Sequence, residues 1–520
     1  MRGQLARVAR ADRARSRLAL TAICSVLFLT FLDNTIVSVA LANIQTSLHA
    51  GVTGLQWIVD GYMVAFAGLM LAGGTLGDLL GRRRVMLGGV AIFCGGGIIA
   101  ATAGSSSALI AGRVVMGVGA AACEPGTLSL IRQLYPDARP RARALGVWTA
   151  VSGVSLAAGP VLGGVLVDTW SWRAVFWFNV IFGFAAFAVA ALTVRESADP
   201  HGRTLDIPGL ITGALAVVSV TFAIIEGESY GYRTIWVLAL FVVAGLSSAL
   251  FVRCERRSSD PMLDLSVISR VQVAIPLIVG FVTSFGLFAV FFFVALYLQV
   301  IVGRSGADIA LQFAAMSVAM VVAGIAAGSW TAARGPRLPM ALGCGIAAAG
   351  IFAVDAQIGP TVGAAQLAVS LAIVGVGLGF ALVAVTTSVL ESVTPERSGM
   401  AASALNTSRE LGGVLAVAIL GAVVNGRLVS HLNDRLGGLG LPAELRSTIV
   451  DTVTTGRYSL SSSAENPLVQ GNLSVFTKII GAAEAAFGDG LHVALIVAGV
   501  ILTAAAILAL LGVRPREQNA

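Results

Sequence analysis

The chain has 520 residues, of which 57% are hydrophobic and only 12% charged, with a net charge of +7. A soluble globular domain carries about 25% charged residues, so these charges cannot clothe the apolar sequence in water. Nucleic-acid binding is not the reading of the basic balance, because the arginines fall where membrane topology places them.

Apolar runs of 18 or more residues recur from end to end. Each is long enough to cross a hydrocarbon core of roughly 30 Å as a helix. Six arginines, from Arg2 to Arg17, precede the first run. At 18–41 that run is too long for a signal-peptide core and reads as an uncleaved first span. Thirteen more are expected near 55–76, 85–103, 107–130, 143–166, 174–194, 207–226, 234–253, 271–301, 308–330, 338–356, 364–390, 400–424 and 490–513. Span nine is long enough to hide a kink. The interval 425–489 is expected to be an external loop, with helical character at Pro442–Thr455 and Ser474–Phe487.

Orientation follows from arginine placement. With the N-terminus inside, about 24 arginines fall on the inner side, among them Arg82–Arg84, Arg132, Arg139–Arg143, Arg253–Arg257, Arg334, Arg337 and Arg397. The short outer loops receive Arg173, Arg233 and Arg304. The asymmetry supports an even number of spans and an orientation with both termini cytoplasmic; a bacterial inner membrane is the expected location. Sixty-one glycines, costly in soluble helices, let membrane helices approach closely.

Several side chains stand out against this apolar background. After span two, Gly74-Thr75-Leu76-Gly77-Asp78-Leu79-Leu80-Gly81-Arg82-Arg83-Arg84 forms a tight inner loop. Asp78 can pair with Arg82 and can also cap a helix N-terminus, where an anion is favoured. Gly74, Asp78, Gly81, Arg82 and Arg83 are therefore read as a conformational latch, against the plainer reading of a basic inner loop. An ionisable group at bilayer depth costs at least about 2.5–3.5 kcal/mol on insertion scales and normally has a task. Asp33, Arg113, Glu124 and Glu410 are such groups and are the candidate proton-coupling residues. Arg113 and Glu124 share a face of one helix, separated by about 16 Å of rise, so they cannot pair. Asn406, Arg409 and Glu410, at i, i+3 and i+4, make one polar patch. A structural hydrogen bond at Asp33, a bundle tie at Arg113, a wetted end at Glu124 and a self-satisfied Arg409–Glu410 pair are the alternatives. Glu124, Asn406, Phe285 and Phe288 are candidate cavity residues, with packing the other role for the phenylalanines of span nine, while Trp57 and Tyr62 read as interfacial anchors. Asp60, Glu226 and Glu391 are expected to be solvated at span ends.

These segments, taken in order, resemble the fourteen-span drug:proton antiporters of the major facilitator superfamily. The loop at Gly74–Arg84 resembles the family's signature between helices two and three, and Leu32–Leu41 its first-helix motif. Arg113 with Gly117, Gly119 and Ala120 resembles the fourth-helix arginine motif. Gly153, Gly159, Pro160, Gly163 and Gly164 resemble the antiporter motif of helix five. Trp172, Arg173, Phe176 and Asn179 match the entry to helix six; Gly399, Asn406, Arg409, Gly412 and Gly413 match helix thirteen. The chain departs from the pattern at Ala42, Met116 and Ile181, and it has no acid between Leu311 and Trp330, which speaks against dicationic substrates.

The resemblance implies an all-α polytopic membrane protein with the major facilitator fold, two six-helix bundles plus two inserted helices. The expected division is a tail at 1–17, a bundle at 18–200, an inserted pair at 201–257, a second bundle at 258–513 and a tail at 514–520. It also implies a proton-coupled antiporter that exports small amphipathic or cationic drugs by alternating access, and its pattern makes Tyr62 a cavity candidate. In that account Asp33 beside Arg113 gains and loses the proton. A dedicated exporter of one metabolite, antibiotic or lipid-like compound, and a non-transporting sensor on the same scaffold, are the competing readings.

An enzyme is not expected. The only lysine, Lys478, lacks a phosphate-loop context, and no HExxH occurs. The five cysteines form no CxxC pair and the four histidines have no ligand spacing, so no metal, disulfide or cofactor is expected. The expected partners are a small-molecule substrate, protons and lipid, with no nucleic acid and a monomer as the working unit.

Overall fold

The computed structural model describes residues 2–50, 52–197, 206–258, 261, 263–304, 306–359, 363–394, 397–438, 446 and 473–513. The described residues are helical with short connections and contain no strand. The first six long helices are α1 (Arg2–Leu48), α2 (Val52–Leu80), α3 (Arg82–Ala101), α4 (Ser106–Leu134), α5 (Ala138–Thr169) and α6 (Arg173–Thr193). A pair follows, α7 (Ile207–Tyr230) and α8 (Ile235–Arg257). The last six are α9 (271–300), α10 (Gly306–Arg334), α11 (Arg337–Asp355), α12 (Ala364–Glu391), α13 (Ser398–Gly438) and α14 (Leu473–Gly512). Thirteen of these are long and apolar enough to cross a membrane as they stand. The fourteenth is α5, which bends by 43° between Arg139–Leu156 and Val161–Thr169.

Helices α1–α6 pack on one another, as do α9–α14. The two groups meet mainly along α5 with α10 and α2 with α13. Helix α7 lies against α2 and α13, and α8 packs on α7, so the pair sits beside the seam. Lipid tails are as apolar as the side chains they touch, so close packing of membrane helices comes from small residues. Glycines set the spacing: a Cβ on Gly119 would overlap Phe93 N, and one on Gly146 would come 2.7 Å from Gly324 O across the seam.

Span nine is not uniform. Its middle, Ala289–Val294, is π-helical between Val271–Phe288 and Ala295–Val300. A π turn adds a residue to the helical repeat and rotates the next turns, and such insertions recur at functional sites. The phenylalanines are thereby split. Phe293 is buried, Phe292 is exposed, and Phe291 packs on Phe313 with ring centroids 4.7 Å apart.

Three expectations need correction. The external loop is shorter than 425–489, because α13 continues to Gly438 and α14 begins at Leu473. Leu428, Leu432 and Leu436 recur every four residues and pack with Ala486 and Phe487, which keeps both helices wound past the apolar span. Ser474–Phe487 is helical as expected, whereas Pro442–Thr455 lies outside the described residues apart from Arg446. Glu226, expected in solvent, is 7% exposed. Tyr62 is not an interfacial anchor but fully buried.

At Gly81, between α2 and α3, φ is +108°, and a Cβ would lie 2.8 Å from a Glu196 carboxylate oxygen. An L side chain pays about 1–2 kcal/mol in this region of backbone space. Gly81→Ala is therefore expected to lower the thermal unfolding midpoint of the purified protein. An unchanged midpoint would mean that this turn is not held in the described conformation.

Candidate functional site

A first cluster lies wholly inside the α1–α6 bundle. Asp33 of α1 and Arg113 of α4 are 0% and 1% exposed. The Arg113 guanidinium donates through Nη1 to Asp33 Oδ2. Asn179 Nδ2 of α6 donates to Asp33 Oδ1 at 2.6 Å. Arg113 Nε donates to Ile58 O at 2.8 Å, and the guanidinium lies 4.5 Å from the centre of the Tyr62 ring. Tyr62 in turn donates its hydroxyl to Thr30 O at 3.1 Å. Four helices thus converge on one ion pair, and both oxygens of its carboxylate are engaged. Glycine makes this possible, since a Cβ on Gly117 would come 2.5 Å from Tyr62 O and push α2 away from α4. Removing one partner of a buried ion pair costs roughly 3–5 kcal/mol, while replacing both by apolar groups is often neutral.

A second cluster lines a cavity between the two bundles. Glu124 of α4, Trp148 of α5, Phe288 of α9, and Asn406, Arg409 and Glu410 of α13 all face it. Arg409 Nη2 donates to Thr386 Oγ1 at 2.6 Å and to Leu382 O at 3.2 Å, both on α12. Its guanidinium also lies 5.8 Å from the Trp148 ring centre, across the seam. Trp148 Nε1 donates to Thr127 Oγ1 at 3.0 Å, and Thr127 Oγ1 donates to Glu124 O at 2.6 Å. Arg409 is therefore held by α12 and not by its neighbour Glu410. Glu124 Oε2, Asn406 Nδ2 and Arg409 Nε are buried without a hydrogen-bond partner. Unmet polar atoms gathered in one mostly apolar space are the mark of a ligand site. Two carboxylates facing one guanidinium leave a formal charge of −1 when all three are ionised. The cavity measures about 40 Å³, which accommodates a few waters and not a drug-sized body.

Of the expected cavity residues, Glu124, Asn406 and Phe288 line this space. Tyr62 instead belongs to the Arg113 cluster, and Phe285 is 3% exposed within the core of the α9–α14 bundle. Glu124 is 2% exposed, so the wetted-end alternative does not hold. Trp148, Thr127 and Thr386 are functional neighbours that sequence reasoning misses; a tryptophan in mid-span is the available signal. Asn179 stands out only as part of a motif, because its helix does not reveal that it meets Asp33.

The loop at Gly74–Arg84 sits at the arginine-rich end of the bundles. Arg82 donates to Asp78 Oδ1 from Nε at 2.8 Å and from Nη2 at 2.6 Å. Asp78 also accepts from Gly399 N at 3.2 Å and Met400 N at 3.0 Å, capping the first turn of α13 in the opposite bundle. Gly74 lets the helices meet there, since a Cβ would come 2.7 Å from Gly399 O. At the same end Arg132 donates to Val393 O at 2.7 Å and Arg141 to Glu391 at 2.9 Å. Arg83 reaches Ala191 O at 2.6 Å, while the amides of Arg83 and Arg84 donate to Glu196, which caps α3. Arg397 pairs with Asp264 in the connection before α9. Burial alone would raise the Asp264 carboxyl, but the bonds from Ser266 and Arg397 outweigh it and hold it below the usual range.

Along α5, a Cβ on Gly153 would overlap Met320 Cε of α10. One on Gly159 would overlap Thr35 Oγ1, and one on Gly163 would come 2.8 Å from Ile36 O, both on α1. Pro160 falls at the 43° bend, immediately before Val161. Gly164 faces open space. One face of α5 thus grips its own bundle while Gly153 touches the other.

The family model described as Major Facilitator Superfamily matches residues 23–417. The chain is 33% identical to the drug efflux pump JefA of Mycobacterium tuberculosis, over 95% of this chain and 97% of the relative. It is 32% identical to the multidrug resistance protein Stp of the same organism, over 79% and 76%. It is 30% identical to the tetracenomycin C resistance and export protein of Streptomyces glaucescens, over 83% and 80%. Among solved structures, the proton:xylose symporter XylE superposes with a TM-score of 0.60 at 14% identity, covering 81% of this chain and 91% of that one. The order of the helices, their packing as two sixes and the matching family model give one conclusion: this chain belongs to the Major Facilitator Superfamily and is a multi-pass membrane transporter.

Proposed function

We propose that the protein is a proton-coupled antiporter that exports small amphipathic or cationic compounds across a bacterial cytoplasmic membrane. The observation that carries this reading is the excess of carboxylate in the cavity between the bundles, where Glu124 and Glu410 face a single guanidinium, Arg409. In a space of low polarity the negative charge left over favours a compensating cation. A proton on either carboxyl and a positively charged substrate satisfy the same requirement, so they compete for the site. Competition at one site exposed alternately to two sides is sufficient for exchange. The relatives named for drug efflux and antibiotic resistance support the direction and the class of cargo.

The arginine-rich end is the cytoplasmic side in this account. The contacts of Asp78, Arg132 and Arg141 close that side in the described conformation. Protonation at Asp33 would loosen Arg113 and bias the bundles toward the opposite facing. No cofactor takes part; the proton gradient supplies the energy.

Ethidium efflux from proteoliposomes with an imposed pH gradient tests the reading. The wild type is expected to move ethidium, and collapsing the gradient is expected to stop it. Glu124→Gln and Glu410→Gln are each expected to reduce the initial rate at least tenfold, a barrier difference of about 1.4 kcal/mol. The double variant Glu124→Gln/Glu410→Gln, whose cavity keeps only the Arg409 charge, is expected to bind ethidium no better than an uncharged analogue. Ethidium movement indifferent to the gradient would overturn the coupling.

A further inference from the structure

The helix pair beside the seam holds a second acidic site that the central cavity does not explain. Phe222, Glu226 and Tyr230 are spaced by four residues and form one stripe along α7. The α7–α8 connection folds tightly back. Gly231 takes φ +88°, Gly231 N donates to Gly227 O at 3.0 Å and Thr234 N to Gly231 O at 3.1 Å. This return brings Trp236 of α8 over the stripe, with its ring centre 6.3 Å from Phe222 and 5.3 Å from Tyr230. Trp57 of α2 closes the other side, 5.0 Å from Phe222. The three ring pairs are inclined at 49°, 70° and 57°, the tilted and edge-on contacts that aromatic neighbours prefer.

Glu226 is the middle residue of that stripe. It is 7% exposed, and among the described residues its carboxylate has no hydrogen bond and no ion pair. Its carboxylate oxygens are not enclosed as Glu124 Oε2 is, so the charge stays within reach of a ligand. Tyr230 and Trp236 are 50% and 38% exposed, so the walls are reachable from outside. Aromatic faces carry negative potential and attract cations within about 6 Å of the ring centre, quaternary ammonium groups among them. A carboxylate set among such faces selects positive charge and apolar volume together.

We propose that the ends of α2, α7 and α8 remote from the arginine-rich loops form a binding site for an organic monocation with a bulky apolar body. Glu226 is the counter-charge, and Trp57, Phe222, Tyr230 and Trp236 are the walls. The site is separate from the Glu124–Glu410 cavity and does not rest on proton coupling. Two sources carry this chemistry, a free organic cation and the ammonium headgroup of a membrane lipid.

Equilibrium binding of radiolabelled tetraphenylphosphonium to the full-length protein in nanodiscs tests the site. A Glu124→Gln/Glu410→Gln background removes both carboxylates of the central cavity and leaves it the Arg409 charge, which repels a cation. In phosphatidylglycerol discs that background is expected to retain one class of bound cation. Glu226→Gln on the same background is expected to weaken it at least tenfold. Trp236→Leu is expected to weaken it similarly and Trp236→Phe much less. Neutral tetraphenylmethane is expected to bind equally to the background and to its Glu226→Gln derivative. Phosphatidylethanolamine that competes with the probe when Glu226 is present, but not in Glu226→Gln, identifies the lipid headgroup as occupant; absence of competition identifies the free cation. Probe affinity within twofold of the background after Glu226→Gln overturns the proposal, as does an equal loss for the neutral analogue. Ethidium efflux by Glu226→Gln in the otherwise native chain reads the central mechanism separately.

Discussion

Asp33→Asn is expected to abolish proton-driven efflux, and a second change at Arg113 is expected to repair the fold without repairing transport. Asp33 accepts from both Arg113 and Asn179 in a fully buried setting. The single variant leaves the guanidinium buried without its counter-ion, at a cost of roughly 3–5 kcal/mol. Asp33→Asn/Arg113→Met removes both charges, and most of that cost is expected to return. If the pair were only a tie between α1 and α4, the double variant would transport again. If the carboxyl is the group that takes up and releases the proton, it would not. The two measurements are the unfolding midpoint in detergent and the initial rate of ethidium efflux under an imposed gradient. Efflux in the double variant within threefold of wild type would remove Asp33 from the coupling scheme and leave Glu124 and Glu410 to carry it.

A comparably large effect is expected at the arginine-rich end. Asp78→Ala deletes the acceptor of two α13 amides and the partner of Arg82 at once. Hydrogen bonds to a charged group are worth about 1.5–3 kcal/mol each. A net loss of about 2–3 kcal/mol in the closed form shifts its population about 30- to 150-fold against the alternative. Gly399→Ala is expected to act the same way for a steric reason, since its Cβ would overlap the Asp78 carboxylate. Asp78→Asn keeps an uncharged acceptor and is expected to fall between. Spin-label distances between Arg139 on α5 and Arg334 on α10 read the opening of this end directly. A distance distribution for Asp78→Ala that matches wild type would show that the cap does not hold the two bundles together.

Much of this molecule is legible along the chain. Span number and type follow from apolar length, and the arginine asymmetry gives a consistent threading. Both are local properties of a helix in lipid, where every backbone group must be bonded within the segment. The Asp78–Arg82 pair is legible in the sequence, because a short loop leaves Asp78 little choice of partner. That Asp78 also caps α13, more than 300 residues on, is not a local property and had to be seen. Glu226 shows the opposite failure. Its place near a span end argues for solvent, but the turn at Gly231 folds Trp236 back over the stripe that carries it.

Linear order alone makes this a multi-span helical membrane protein, fixes which helices it has, and sets Asp33, Arg113, Glu124 and Glu410 at membrane depth. The company those four keep came from the packed helices. Asp33 and Arg113 share one closed network with Asn179, while Glu124, Arg409 and Glu410 gather around a cavity between the bundles. Packing also turned Tyr62 away from the membrane surface and under a guanidinium. The physical reason is that apolar length and charge bias act one helix at a time, whereas the partner of a buried charge is fixed by how glycine-lined helices from distant parts of the chain interlock.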